Sequence, residues 1–367
     1  MKILVLWADD RSPNLGVRVL GAGTAALARR VWPDAEFVFS NYGSRTAPVR
    51  LGSTTDLLKE AVTRRVGLNR WFAGFDLVLD TRAGDSFADI YGLPRLTSMT
   101  LATELAYRAG VPVVLTPQTI GPFGGRRAKT MARRSLRTAA LVMARDSTSA
   151  EAAAGLGRPV DLLTSDVVFA LDVPARDARR DVVLNVSGLL WQPNPHVDHA
   201  RYRRTVAQVH DALVAAGRTV TLLPHVLPAD NSDDDVPAVE EFAATHAPDA
   251  EVYRPRSLDD VREVLAGANL VVGSRMHACL NALSVGTPAL PLAYSRKFAP
   301  LLGDLGWSHV VDLREDREDV PTTVVDVARR SEDLRGEAAE VAARAGARLD
   351  EAAAALRTRF GGPGTAA

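Results

Sequence analysis

The feature that most restricts the fold is a repeated switch between two hydrophobic periods. Short runs that are almost wholly apolar, "KILVLW" (residues 2–7), "EFVF" (36–39), "DLVLD" (76–80), "PVVLT" (112–116) and "ALVMA" (140–144), alternate with longer stretches at helical spacing, such as "VRVLGAGTAALARRVW" and "TSMTLATELAYRAG". A strand that is apolar on both faces must be covered on both, and helices between successive strands achieve this over a parallel sheet. The pattern breaks at "DVPARDARRD" (172–181), which reads as a linker. It restarts with "VVLNVSG" (182–188), "TVTLLPH" (219–225), "AEVY" (250–253), "LVVGS" (270–274) and "PALPLAY" (288–294). The prediction is an α/β chain of two Rossmann-like, doubly wound domains, residues 1–172 and 181–330. The carboxyl ends of their strands face a cleft, where such sheets bind ligands. Residues 331–360, rich in Ala, Glu and Arg, predict a C-terminal helix packed on the body; their apolar positions are mostly alanine, which disfavours a coiled coil. "GGPGTAA" reads as a frayed end.

Composition excludes several classes. The 367 residues exceed one ordinary domain, and 47% hydrophobic with 24% charged residues is a globular balance. With 44 basic and 44 acidic residues the net charge is zero, so no global field draws the chain to nucleic acid or to an anionic membrane. Any anion site must be built locally. Cys279 is the one cysteine, which rules out a disulfide framework or a thiolate metal cluster. The first apolar run is ended by Asp9 and Asp10, too early for a signal peptide, and no window is long enough for an integral membrane span. A cytoplasmic protein is expected. Lysine occurs only at positions 2, 59, 129 and 297, so arginine abundance carries little information and Lys297 slightly more.

The chemistry-bearing stretch is "GSRMHACLNALSVG". Strand residues run into Gly273, and a helix starts within three residues, with Met276, Cys279, Leu280 and Leu283 on one face and His277, Asn281 and Ser284 on a neighbouring stripe. An ordinary core helix with a polar edge fits this pattern. So does an anion site, in which the helix N-terminus presents N–H groups beside Ser274, the Arg275 fork and a titratable His277. Lys297 in "YSRKF" follows the next strand at the same carboxyl edge. In the first half, "ADDRSPNLGVRVLGAG" passes from strand to helix through Asn14 and Gly16, but it is not GxGxxG and there is no GxxxxGK[ST]. "RAGDSFADIYG" places Asp85 in a polar loop that is either functional or a plain connection. Gln118 ends a strand in "TPQTIGPFGG". His225 closes "TVTLLPH" ahead of "DNSDDDVP"; those carboxylates suit a helix N-terminus better than a metal, so no metal site is expected.

Taken together, "NLG", "PVVLTPQTIGPF", "ARDSTSAEAAAGLG", "LLTSDVVFAL", "TLLPHV" and above all "GSRMHACLNALSVGTPALPLAYSRKF" resemble the polysaccharide pyruvyl transferases. The last block is similar to that family's Gly-Ser-Arg-x-His pattern followed by Tyr-x-x-Lys, here Tyr294 and Lys297. The resemblance implies a GT-B-like fold and transfer of pyruvate from phosphoenolpyruvate to two hydroxyls of one sugar, as a cyclic ketal, for cell-surface or secreted glycans. Phosphoenolpyruvate is then a co-substrate, and no metal or organic cofactor is needed. His277 and Arg275 are the implied catalytic pair. Gly273, Ser274, Lys297 and His225 are assigned to donor binding, and Asn14, Gly16, Gln118 and Asp85 to the first domain's acceptor side. Two departures, Gly16-Val17 in place of Gly-Asp and "RAGDSFADIYG" in place of a glycine-rich stretch, both fall on that side.

Two other readings remain open from sequence: a nucleotide-sugar-dependent GT-B glycosyltransferase, and a catalytically silent paralogue that binds a glycan. The acceptor's identity and carrier and the formation of homo-oligomers are also open.

Overall fold

Each half of the pattern closes into its own six-stranded, all-parallel sheet. The structure is a computed structural model that describes residues 1–43, 45–176, 179–228 and 233–361. The first half runs β1 (Lys2–Leu6), α1 (Leu15–Arg29), β2 (Glu36–Ser40), α2 (Thr54–Thr63), α3 (Leu68–Phe72), β3 (Leu77–Asp80), α4 (Leu93–Arg108), β4 (Val113–Gln118), α5 (Arg126–Thr138), β5 (Leu141–Ala144), α6 (Ser147–Gly155) and β6 (Leu162–Leu163). The second runs β7 (Arg180–Asn185), α7 (Gly188–Trp191), α8 (His199–Ala215), β8 (Val220–Leu222), α9 (Val236–His246), β9 (Glu251–Val252), α10 (Leu258–Ala266), β10 (Ala268–Gly273), α11 (Met276–Ser284), β11 (Ala289–Ala293), α12 (Phe298–Gly303), β12 (Val311–Asp312), α13 (Val320–Arg329) and α14 (Leu334–Phe360).

The strand orders are β2-β1-β3-β4-β5-β6 and β12-β11-β10-β7-β8-β9. The order in which strands are added therefore reverses between β1 and β3 in one sheet and between β7 and β10 in the other. Such switch points leave a crevice beyond the strand ends. The apolar strands are sandwiched as their composition requires. On one face of the first sheet Leu4, Leu6 and Val78 pack with Leu57, Phe72 and Met99, and farther across the same face Leu115 and Val142 pack with Ala132 and Leu136; the alternate residues Ile3, Val5, Leu79 and Val114 are buried on the other. Each fully buried large aliphatic side chain contributes about 1.5–3 kcal/mol relative to exposure.

The chain forms two compact units, and neither is a single continuous stretch. One comprises Met1–Ser12, Val17–Leu171 and the chain from Ala345; the other comprises Pro13–Gly16 and Asp172–Arg344. Helix α14 buries Leu334, Ala338, Val341, Ala345, Leu349, Ala352 and Leu356, a single stripe three or four residues apart. Small residues on that stripe let it pack closely.

Several boundaries differ from the sequence reading. β8 stops at Leu222, two residues before Pro224, which has no N–H to donate to a ladder, so His225 lies in the following loop and does not close the strand. α4 starts at Leu93, with Pro94 in its first turn. β6 and β12 have two residues each, too short to show a period. The residues from 362 that were expected to form a frayed end, linker residues 177–178 and the first part of "DNSDDDVP" (230–232) lie outside the described residues.

Candidate active site at the switch point of the second sheet

Where β7 and β10 end side by side, the second sheet carries Asn185 and Gly273 in register. Asn185 is fully buried. Its Oδ1 accepts the Arg275 backbone N–H at 2.9 Å, and its Nδ2 donates to Leu223 O at 2.9 Å. This fixes the turn from β10 into α11. A side chain at Gly273 would bring a Cβ to 3.1 Å from Cys279 Sγ, so the turn is tight at that point. Ser274 is buried beside it and accepts the Tyr202 hydroxyl proton at 2.9 Å; Tyr202 in turn accepts the Ser187 N–H. Burial pushes the Tyr202 phenol up to about 12, so it remains a neutral tie.

Arg275, 7% exposed, does not present an open fork. Its Nε and Nη2 donate to Asp235 Oδ1 at 3.0 and 2.7 Å, and Nη1 donates to Asp233 Oδ1 at 2.6 Å. Burial alone would lower the guanidinium's proton affinity, but the two carboxylates outweigh it and hold it above the ordinary arginine value. Asp235 is the hub. Fully buried, it accepts the Gly188 N–H on Oδ1 at 2.7 Å, and the His225 and Val226 N–H groups on Oδ2 at 2.9 and 3.0 Å. The reading of the acidic run as mere helix-end charge is thereby corrected: Asp234 accepts the Val236 N–H at the start of α9, while Asp235 makes no cap bond and is committed to Arg275. The pull on Asp235 comes from a buried cation, which a local pattern cannot show.

His277 sits in the first turn of α11, partly buried, and the turn Pro13–Gly16 closes on it. That turn is paired to the loop after β8, with Leu15 N–H on His225 O at 3.2 Å and Leu227 N–H on Pro13 O at 2.8 Å. Asn14 Oδ1 accepts the Gly16 N–H at 2.9 Å, and Asn14 Nδ2 reaches Asp233 Oδ2 at 3.2 Å. A Cβ on Gly16 would lie 2.7 Å from His277 Nδ1, so glycine is what allows the imidazole to occupy this position.

Behind His277, the polar stripe of α11 forms a buried relay. Arg262 Nη1 donates to Asn281 Oδ1 at 2.9 Å and to Ser284 Oγ at 2.8 Å. Since arginine only donates, the Asn281 amide is oriented, and its Nδ2 faces His277 O at 2.7 Å and His225 Nε2 at 3.2 Å. His225 Nε2 is then an acceptor and its proton sits on Nδ1, an assignment made from the network. Burial, reinforced by charge at His277 and Arg275, pushes the His225 imidazole down to about 3. His225 is a neutral, buried strut.

Of the residues singled out in the sequence, Asn14, Gly16, His225, Gly273, Ser274, Arg275 and His277 thus come together in one unit. Lys297 stands at the head of α12, where its charge, after burial, helps lower His196, whose ring lies 5.1 Å from that of Tyr294. Asp85 and Gln118 belong to the other unit. Asp85 accepts the Tyr91 hydroxyl at 2.7 Å; Gln118 ends β4 fully buried, its amide atoms without a hydrogen-bond partner among the described residues. Asn185, Tyr202, Asp235 and Arg262 were not singled out in the sequence. Asn281 and Ser284 had a legible signal, their i, i+4, i+7 spacing from His277.

The fold is shared with solved GT-B enzymes at low identity. The UDP-GlcNAc 2-epimerase of Neisseria meningitidis, solved with UDP-GlcNAc, superposes with a TM-score of 0.61 at 11% identity over 98% of this chain and 100% of that one. Anabaena Alr3699/HepE, solved with UDP-glucose, gives 0.55 at 12% identity over 98% and 100%. In sequence, the chain is 24% identical over 254 residues to the amylovoran biosynthesis protein AmsJ of Erwinia amylovora, spanning 63% of this chain and 60% of that relative's length. Residues 14–296, from the asparagine that touches Asp233 to the segment just before Lys297, match the polysaccharide pyruvyl transferase family, and the chain belongs to that family.

Proposed function

We propose that the chain transfers the pyruvyl group of phosphoenolpyruvate to two hydroxyls of one sugar, forming a cyclic ketal and releasing phosphate, as a step in building a polysaccharide or its precursor. The observation that carries this reading is the position of His277, in the first turn of α11 and packed onto Gly16, two residues after a permanently charged arginine.

The donor is an enol phosphate that also bears a carboxylate. A proton must reach its methylene carbon, making C2 electrophilic. Two sugar hydroxyls bond to C2 and the C2–O bond to phosphate breaks. One hydroxyl proton ends on the new methyl group and the other leaves with phosphate. His277 is assigned as the proton carrier, work that contributes about 10²–10⁴-fold. The first-turn N–H groups of α11 and its dipole favour the anionic donor. Asp235 holds the inner edge of Arg275. Asp233, 35% exposed at its side chain, holds the outer edge, which is where a donor anion would take over. Lys297 supplies a second cation, and Asn14 is assigned to the acceptor. The scheme uses no metal or organic cofactor.

A second reading is supported by the solved neighbours that hold UDP-sugars: a nucleotide-sugar glycosyltransferase on the same fold. One experiment separates the two. Calorimetric titration and ³¹P NMR would follow phosphoenolpyruvate and UDP-glucose with the parent, Arg275→Ala and His277→Gln, each with a panel of sugar acceptors. Donor binding retained in His277→Gln but without phosphate release, and weakened in Arg275→Ala, is the expected result. Protection by UDP-glucose with none by phosphoenolpyruvate would overturn the pyruvyl assignment.

A further inference from the structure

The zero net charge conceals one strongly basic surface. Helix α5 carries Arg126, Arg127, Lys129, Arg133, Arg134 and Arg137 and no acidic residue. Its apolar stripe, Ala128, Ala132 and Leu136, is buried in the first unit's core, so the basic side chains face outward. Arg134 is matched by Glu104 at 2.7 Å. Among the described residues, no carboxylate stands within ion-pair distance of Arg126, Arg127, Lys129 or Arg137. Arg133, whose Nε donates to Leu156 O at 3.3 Å, has no carboxylate partner among the described residues either, which makes five uncompensated cations on a single surface.

An exposed apolar loop adjoins them. Asp89 Oδ2 accepts the Gly124 and Gly125 N–H groups at 2.7 and 3.2 Å, which fastens the loop before α4 to the N-terminus of α5. Ile90 and Tyr91 on that loop and Leu93 at the start of α4 are 64%, 42% and 40% exposed, three large apolar side chains within four positions. Tyr91 is held in place by its bond to Asp85 and by the Arg95 guanidinium 5.4 Å from its ring. Scattered exposed apolar residues need no explanation, but a clamped cluster beside unpaired cations does.

We propose that this face docks on an anionic phospholipid bilayer, with the cations of α5 against the headgroups and Ile90, Tyr91 and Leu93 in the interfacial layer. Charge complementarity selects an anionic partner. A nucleic acid would use the cations but has no use for exposed Ile90 and Leu93, whereas a bilayer uses both, and tyrosine is at home at its interface. No described helix is long and apolar enough to cross a membrane, so the contact would be peripheral. Nothing in this contact depends on the donor assignment.

Co-sedimentation of the full chain with vesicles of phosphatidylcholine, with and without phosphatidylglycerol, tests it. Binding is expected only with phosphatidylglycerol and should weaken with added salt. Each basic side chain contributes about fivefold, so Arg126→Gln/Arg127→Gln/Lys129→Gln should lose on the order of a hundredfold. Ile90→Asp/Leu93→Asp should also bind less. All of these residues are exposed, so thermal midpoints near the parent's would exclude unfolding as the cause. Equal binding to both vesicle types, or full binding by the triple variant, overturns the proposal. So does tight duplex-DNA binding that competes with vesicles and is unaffected by Ile90→Asp/Leu93→Asp, which would mark a nucleic-acid surface.

Discussion

Gly16→Ala separates stability from chemistry in a way that the geometry makes quantitative. An added Cβ would lie 2.7 Å from His277 Nδ1, 3.1 Å from His277 Cγ and 3.0 Å from Asn14 Oδ1. Ordinary carbon contacts are about 3.5–4.0 Å, so the imidazole must retreat by roughly 0.8–1.3 Å. Its neighbours do not retreat with it, because the turn is pinned to the loop after β8 by backbone bonds at His225 O and Pro13 O. A displacement of about 1 Å in a reacting group costs on the order of 10²-fold in rate. The effect on folding has the opposite sign. Gly16 lies in the first turn of α1 without a left-handed φ, so alanine fits the backbone and removes unfolded-state freedom worth up to about 1 kcal/mol. The retreat of a partly buried ring offsets part of that gain.

The expected variant therefore unfolds within about 1 kcal/mol of the parent in urea, while turnover in the proposed pyruvyl transfer, read as phosphate release, falls about a hundredfold. A shift of the His277 ring protons in the NMR spectrum reports the displacement without any substrate. A Gly16→Ala protein with parental turnover and an unmoved His277 resonance would refute the argument that glycine is there to admit the imidazole. A loss of several kcal/mol would refute it differently, by showing that the turn and not the ring absorbs the clash.

Three further outcomes follow from the buried network. Asp235→Asn leaves Arg275 with one carboxylate and turns amide protons toward two N–H donors; breaking such a buried pair costs about 3–5 kcal/mol, and a urea midpoint equivalent to less than about 1 kcal/mol would contradict the hub role. His225 has a folded pKa depressed to about 3, so its contribution is complete above the unfolded value near 6.5 and is lost as pH falls toward 3, where the unfolded chain binds the extra proton first. Stability should drop by up to about 1.4 kcal/mol per pH unit in that window from this residue, and His225→Gln should flatten the slope; an unchanged slope would mean that His225 titrates normally. Cys279 is fully buried, with its thiol pushed up by desolvation, so a thiol-reactive disulfide reagent should label it only once denaturant opens the core, and rapid native labelling would contradict that placement.

What the sequence made legible, and what it hid, divides along the range of the interactions. Both sheets could be read because a parallel strand buried on two faces is apolar nearly throughout, as in Leu77–Asp80 and Leu141–Ala144, and that signal is local. The turn into α11 could be read because strand, glycine and helix follow one another within a few residues. Gly16 could be seen as a turn residue, but not as the cradle of His277, whose ring comes from the other end of the sequence. In the acidic run a helix start accounts for Asp234, while Asp235 answers to Arg275, 40 residues away.

Charge shows the same limit most plainly. Arg275 and Arg126 are identical as letters in an arginine-rich chain. One is nearly buried between two carboxylates, and the other is exposed on a helix with no acidic residue. What an arginine can bind depends on which carboxylates have already claimed it. Net charge and motif spacing leave that pairing out, and only the folded chain supplies it. The donor reading therefore turns on whether Asp233 gives way, and the membrane reading on cations that have no Asp233 of their own.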